Sequence, residues 1–393
     1  MIQLDQPPSD FVGGVPRYAA EFWTSKQRQA CSLHEVSYRA CFKPQLPRFF
    51  IERLTQPGDV VYDPFSGRGT TAIEAALLGR RAVANDANPL SAMLAAPRLR
   101  PPAPDALRAR LSAIPRDFDF GRGEGSPRPD LSMFYHPQTL AELNALRQYL
   151  RHRTSAGQED NLDRWIRMVA TNRLTGHSKG FFSVYTLPPN QAVSADSQRK
   201  INARLGQTPP YRDTSAIILQ KTRQLLRGLS PVQMDNLAGA AMSARFFTGP
   251  AAITPGIQDG SVALTVTSPP FLDIVQYAKD NWLRCWFNGI DPDAVSITMS
   301  RTVADWSAAM LDVLRELHRI TRGGGWVAFE VGETRKASVM LDEVIAPLGV
   351  AAGFTPRMVL VNTQAFTKTS NIWGVKNNAA GTNTNRVVLF EKT

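Results

Sequence analysis

The stretch VVYDPFSGRGTTAIEAALLGRRAVAND, residues 60–86, constrains the fold more than any other part of the chain. Val60 to Tyr62 reads as a short apolar strand. Gly67 and Gly69 form a tight turn. Thr70 to Leu78 carries good helix formers with an apolar stripe, and Gly79 stops it. Ala82 to Ala84 starts a second strand. Strand, helix and strand within about 30 residues make the repeating unit of a doubly wound parallel sheet.

The same stretch carries chemistry. Glycine lets the backbone turn sharply and approach a ligand closely. Asp86 lies 19 residues after Gly67 (86 − 67), just beyond the second strand. A carboxylate there accepts hydrogen bonds from the ribose hydroxyls of an adenosine. Gly67-x-Gly69-x-x-Ala72 also fits a dinucleotide fingerprint. A nicotinamide dehydrogenase and a purely structural turn are therefore both open from this region alone. Asp63-Pro64-Phe65 shifts the balance. A carboxylate ahead of the turn repels a pyrophosphate and suits the ammonium of a methionine moiety. Adenosine plus methionine is S-adenosylmethionine.

A second unusual stretch is TVTSPPFLDIVQY, residues 265–277. The strand Val262 to Thr267 ends in Ser268, Pro269, Pro270 and Phe271. Prolines donate no backbone hydrogen bond and fix φ, so this is a stiff corner. It offers a hydroxyl, carbonyl oxygens and an aromatic face to a flat polar group. Helix-like QYAKDNWLRCWF follows, then a long helix at 304–320, the strand WVAFEV, and two last strand-like runs, RMVLV and RVVLFE. Residues 47–55 read as helix, and residues 1–37 as an irregular, partly helical lead-in. Residues 101–245 mix helical segments with proline-containing loops. The expected layout is a Rossmann-like α/β sheet in two parts, 1–100 and 246–393. The mainly helical module 101–245 is inserted between them, since a loop of that length without structure is implausible.

Net charge is +11, and it is unevenly placed. From Arg164 to Arg227 there are eleven Lys or Arg against two acids, Asp196 and Asp213, so this window carries +9 (11 − 2). Localised positive charge suits a polyanion. The alternative is a solvated basic face. Within the window Arg199, Lys200 and Arg204 lie at helical spacing and are expected to face phosphate. His177, Ser178 and Lys179 sit in a glycine-flanked loop suited to phosphates or base edges, or to plain connection. Gly176-x-Ser178-x-Gly180 matches a hydrolase elbow, but its helix-then-strand context is the reverse of what that motif needs. Trp282 and Trp286, four apart, read as core. The three cysteines and five histidines form no zinc pattern, so no metal is expected. No apolar run approaches the ~20 residues of a membrane span, and the N-terminus has no signal-peptide pattern; the expected location is the cytoplasm.

Together, DPFSGRGTT and TSPPF resemble the cofactor and catalytic motifs of the S-adenosylmethionine-dependent DNA amino-methyltransferases. FKPQLPRFFIERL (42–54), NDANPLS and the closing TNRVVLFEK extend the likeness to about 200 residues, in the two flanks. The resemblance implies a class I methyltransferase fold with S-adenosylmethionine as cofactor. It places Phe42, Lys43, Asp63, Pro64, Phe65, Ser66, Gly67, Gly69, Thr70 and Asp86 at that cofactor. The basic module between the motifs matches a central target-recognition domain. Serine before Pro-Pro-aromatic is typical of the cytosine-N4 type. Adenine-N6 methylation, RNA amine methylation and a non-catalytic nucleic-acid-binding role are the alternatives. The sequence departs from the family at FFTGPAAI, where Pro250 follows Gly249 in place of an acid near the adenine. Double-stranded DNA is the implied partner, and a companion restriction endonuclease is compatible with it. The sequence leaves the oligomeric state open.

The residue types suit the reaction. An exocyclic amine is a poor nucleophile because its lone pair is delocalised into the ring. Acceptors for its N–H groups, here the Ser268 hydroxyl and the Pro269 carbonyl, favour a pyramidal nitrogen. Phe271 can stack on the base. Catalysis then rests on positioning and hydrogen bonding without a metal or covalent intermediate, on a base flipped out of the duplex. Cytosine carbon-5 chemistry needs a cysteine nucleophile, commonly after proline. Here Cys31 and Cys41 follow Ala, and Cys285 follows Arg.

Overall fold

The structure, a computed structural model, describes residues 2–4, 6–24, 30–38, 41–115, 129–186, 192–270, 277–295, 300, 302–331, 340–363 and 385–393. Phe271 and all but the last residue of the Asn-rich loop 367–385 lie outside the described residues.

Strand β1 (Asp10–Val12) and β2 (Val15–Ala20) come first, then helix α1 (Gln45–Leu54), β3 (Val60–Asp63), α2 (Thr70–Leu77), β4 (Arg81–Asp86) and α3 (Leu90–Ala95). Six helices follow: α4 (Pro104–Ala113), α5 (Pro137–Ser155), α6 (Asn161–Arg173), α7 (Ala195–Leu205), α8 (Thr214–Leu225) and α9 (Pro231–Ser243). The chain then alternates again through β5 (Arg245–Thr248), β6 (Val262–Thr267), α10 (Tyr277–Asn288), α11 (Val303–Ile320), β7 (Thr321–Val331), α12 (Leu341–Ala351), β8 (Thr355–Asn362) and β9 (Asn385–Glu391).

The strands form one nine-stranded sheet in the order β1-β2-β8-β9-β7-β6-β3-β4-β5. β7, β6, β3, β4 and β5 run parallel, whereas β9 is antiparallel to both neighbours. The order reverses between β3 and β6. Ligands of open α/β sheets bind in the crevice beyond the strand C-termini at such a switch point. Both sequence motifs leave the sheet there.

Strand periodicity accounts for the layering. Successive side chains point to opposite faces. In β7, Ala328 joins one core cluster while Val327 and Phe329 join the other. The first cluster holds α1, α2 and the buried faces of the helices between 104 and 243, with Trp165 at its centre. The second is built by α11 and α12 on the opposite face, through Trp306, Met310, Leu314, Leu317 and Ile345. Helix starts are chemically marked: Asp160 with Asp163, and Ser230 with Gln233, form capping boxes on α6 and α9.

The N-terminal expectation needs correction. Residues 10–20 form a hairpin and extend the sheet, with Arg17 to Ala20 in parallel register on Val359 to Asn362. Asn362 secures the join by accepting from the Phe22 and Trp23 amides. The short runs DFV and VPRYAA lack the strong alternation that identifies a strand in isolation. They are strands because β8 offers them an open edge.

Candidate active site

Gly67 and Gly69 both adopt positive φ, 52° and 77°, where side-chain-bearing residues are strained. A Cβ on Gly69 would lie 2.4 Å from Ala95 Cβ. The glycine therefore permits the close approach of α2 to α3. Gly69 caps α2, and Thr70 is its first residue. Ser66 donates its amide to Asn85 O (3.0 Å) and shares a hydroxyl contact with Ser91 (2.8 Å). Asp86 braces the turn: Gly67 N–H donates to Oδ2 at 2.7 Å and Asn88 N–H to Oδ1 at 2.8 Å. Burial raises the Asp86 carboxyl to about 6, against the opposing pull of those two amides.

Asp63 ends β3 in full burial. Thr267 Oγ1 donates to its Oδ1 at 2.7 Å, and Phe65 N–H donates at 3.1 Å. Burial nevertheless raises its pKa to about 7, with the hydrogen bonds from Thr267, Phe65 and Thr71 acting downward and Asp86 upward. Among the described residues, none of its main influences is a cation. A buried carboxylate in such surroundings is a ready partner for a cationic ligand. Pro64 O receives a weak contact from Asn85 Nδ2 at 3.4 Å, and Phe65 is half-buried against the second core cluster.

The segment before α1 closes over the turn. Tyr38 Cε1 and Cys41 Sγ each lie 3.4 Å from where a Gly67 Cβ would stand, and Asn88 Nδ2 donates to the Tyr38 hydroxyl at 2.7 Å. Arg68 holds this segment through the carbonyls of His34 (3.2 Å), Val36 (3.1 Å) and Phe42 (3.5 Å). Lys43 follows, and its burial lowers its pKa. Phe42 and Lys43 thus share a neighbourhood with the glycine turn. Sequence reasoning assigns no individual role to Tyr38, Asn88 or Arg68.

The proline corner begins where β6 ends. Thr71 Oγ1 donates to Val266 O at 3.0 Å, and Thr267 reaches Asp63, so the corner is tied directly to the glycine-turn region. Ser268 faces the Glu330 side chain closely enough to favour its ionised form, and Glu330 accepts from Asn385 Nδ2. Burial raises the Glu330 pKa. Pro270 O accepts from the Trp306 indole at 3.0 Å. Pro269 is buried and Pro270 half-buried. Glu330, Asn385 and Trp306 belong to later elements, and no local motif marks them. Asp86 holds Gly67, Ser66 O accepts from Gly69 N–H, and Asp63 holds Thr267, the residue before Ser268, so the turn and the corner are each braced from within the sheet.

The module residues lie elsewhere. His177, Ser178 and Lys179 are exposed on the loop after α6. Lys200 and Arg204 are exposed on α7, whereas Arg199 is bridged to Asp196 (2.7 Å) and Asp130 (3.0 Å). Several cations of the basic window are also structural. Arg164 and Arg167 pair with Glu159, Lys221 and Arg227 with Glu35, and Arg173 is buried over the Phe181 ring. Trp282 and Trp286 pack against the first core cluster. At the departure noted above, Gly249 N–H donates to Asp86 O and Gly249 O accepts from Asn85. Among the described residues, no helix is long and apolar enough to cross a membrane, and no group of His, Cys, Asp or Glu forms a metal cluster.

Residues 16–94 match the N6/N4 DNA methylase family. A type II methyltransferase, M.MjaII of Methanocaldococcus jannaschii, is 33% identical over 77 residues, which are 19% of this chain and 14% of that protein. The chain therefore resembles the N4/N6 DNA methyltransferases through the region that holds the glycine turn and Asp86. Among solved structures, a geranyl diphosphate methyltransferase aligns over 90% of this chain and 78% of its own at 9% identity and TM-score 0.35. The rRNA methyltransferase aviRa from Streptomyces viridochromogenes aligns over 92% and 91% at 14% identity and TM-score 0.34. Alignments at these scores do not show a shared fold. The chain's own strand order shows a doubly wound, Rossmann-like α/β sheet with β9 reversed between β7 and β8.

Proposed function

We propose that the chain is an S-adenosylmethionine-dependent DNA methyltransferase that modifies the exocyclic N4 amine of cytosine in a flipped base. The observation that carries the reading is the Thr267–Asp63 hydrogen bond, 2.7 Å, which fixes the Ser-Pro-Pro corner beside a buried carboxylate whose main influences among the described residues include no cation. That carboxylate suits the ammonium of the cofactor, and Asp86 at the end of β4 suits its ribose. Phe42, Lys43, Pro64, Phe65 and Ser66 line the same neighbourhood. When bound, the cofactor supplies an electrophilic methyl group on a sulfonium.

The chain's own residues prepare the amine. Ser268 donates its hydroxyl proton to Glu330, which leaves its oxygen lone pairs as acceptors for an amine N–H. Pro269 O is a second acceptor. Two acceptors on one –NH₂ draw the nitrogen towards a pyramidal, more nucleophilic form. Burial raises the Glu330 pKa while Ser268 and Asn385 favour its ionised form, so its charge state is set together with the orientation of the Ser268 hydroxyl. Residues 101–245 act as the target-recognition module, with Lys179, Lys200 and Arg204 as phosphate contacts and His177 and Ser178 near base edges. The serine before Pro-Pro-Phe favours cytosine N4 over adenine N6.

Nucleoside mass spectrometry of DNA from cells expressing the protein tests this directly. N4-methylcytosine is expected. N6-methyladenine would reassign the target base, and absence of either product, with S-adenosylmethionine unbound by calorimetry, would refute the reading.

A further inference from the structure

We propose that Trp306 is a positioning residue for the Ser-Pro-Pro corner. Its indole fixes the Pro270 carbonyl and so keeps the Pro269 carbonyl and the Ser268 hydroxyl as the acceptors presented to the target amine. This rests on the function proposed above.

A corner made of two prolines has a structural problem. Neither Pro269 nor Pro270 carries an N–H, so neither can anchor itself to β7 or to a turn by donation. β6 pairing stops at Thr267. Beyond that residue the two prolines can be hydrogen-bonded only through their carbonyl oxygens. A donor must therefore come from outside, and the described structure supplies one to the prolines: Trp306 Nε1 to Pro270 O at 3.0 Å.

Trp306 is well placed to hold a fixed point. It lies in the first turn of α11, which Thr302 caps by accepting from Asp305 N–H at 3.1 Å. Its ring is 2% exposed in the cluster with Met310 and Val331. A buried indole N–H needs an acceptor, because an unmet buried donor is destabilising. The ring thus has one position and its donor one direction. The bond engages one lone pair of Pro270 O and so fixes the direction of that carbonyl. The tie also comes from the sheet face opposite α1 and α2. Trp306 holds the end of the corner at Pro270, and the Thr267–Asp63 bond holds its start.

The test replaces Trp306 with benzothienylalanine, an isostere in which sulfur replaces the indole N–H, with Trp306→Phe as a second variant. Single-turnover methylation under saturating DNA is expected to slow about tenfold in the isostere, the loss of one well-placed hydrogen bond. KM for DNA, cofactor Kd and Tm are expected to stay near wild type. A rate within twofold of wild type would overturn the proposal. So would equal losses in rate, cofactor affinity and Tm, which would make Trp306 a core residue alone. In protein labelled with 13C-proline, the Pro270 carbonyl resonance is expected to shift in the isostere. That readout does not require turnover. An unmoved resonance overturns the tie even if the methyltransferase reading fails, and a wild-type protein without activity refutes that reading separately.

Discussion

Binding of S-adenosylmethionine should be linked to proton release, chiefly at Asp63. The carboxyl is raised to about 7 by burial, and Asp86 to about 6 by the same cause. At pH 6 roughly nine-tenths of Asp63 is therefore protonated in the ligand-free protein. An α-amino group has a pKa near 7.7–8.0, so most of the ligand ammonium is charged up to about pH 7.5. Its charge favours the ionised carboxylate. Ionised Asp63 rises from roughly one-tenth at pH 6 to about three-quarters at pH 7.5, while roughly a third of the ligand amine loses its proton, so Kd should fall about five- to sixfold over that interval. Ionisation of Asp86 adds up to about twofold. Isothermal calorimetry at pH 6 in two buffers of different ionisation enthalpy should report release of about one proton per ligand. Asp63→Asn keeps an acceptor for Thr267 and Phe65 N–H but not the charge. It should flatten the pH dependence and weaken binding at pH 7.5 by tenfold or more, from ~1.5–3 kcal/mol for a charge-assisted contact. A Kd independent of pH between 5.5 and 7.5, with buffer-independent heats, would show that Asp63 does not receive the ammonium.

The same carboxylates bear on the stability of the ligand-free protein. Both folded-state values lie above the ordinary 3.8, so the folded state holds protons that the unfolded chain has lost. Their contribution is fully present below about pH 4 and is lost as pH rises through about 6 and 7; urea midpoints should show this component, and Asp63→Asn should remove most of it. Ser268→Ala should lower the single-turnover methylation rate by about 10²-fold with little change in cofactor Kd, and an unaltered rate in folded protein would remove the hydroxyl from the reaction. Charge reversal at Lys200 and Arg204 should reduce the log–log salt slope of DNA binding by about 0.9 for each phosphate that is no longer neutralised, and an unchanged slope would make α7 a solvated face.

What could be read from the sequence was set by how local each signal is. The glycine turn, Asp63 and Asp86 fall within one strand–helix–strand unit, and spacing alone brought them together. β6 and the proline corner were legible because prolines and β-branched residues state their conformation directly. The hairpin at 10–20 was not, since its strand character comes from pairing with β8 far along the chain. Glu330, Asn385 and Trp306 sit in ordinary-looking strands and a helix, and meet the corner only through tertiary packing. Charge behaved similarly. The basic window was countable, but Glu159 and Glu35, which neutralise part of it, lie outside the window in sequence.

The reversed strand β9 gives the site a timing. β9 fits between β7 and β8, and its first residue, Asn385, supplies the amide that reaches Glu330. During synthesis at ~5–20 residues per second, residues 332–384 take roughly 3–10 s to emerge after β7. Until β9 inserts, β7 and β8 each have an open edge and Glu330 lacks one of its donors. The nascent chain can therefore assemble the glycine turn first and complete the surroundings of Ser268 last. A chain caught between the two stages has its glycine turn and buried carboxylates in place while Glu330, beside Ser268, still lacks the Asn385 amide.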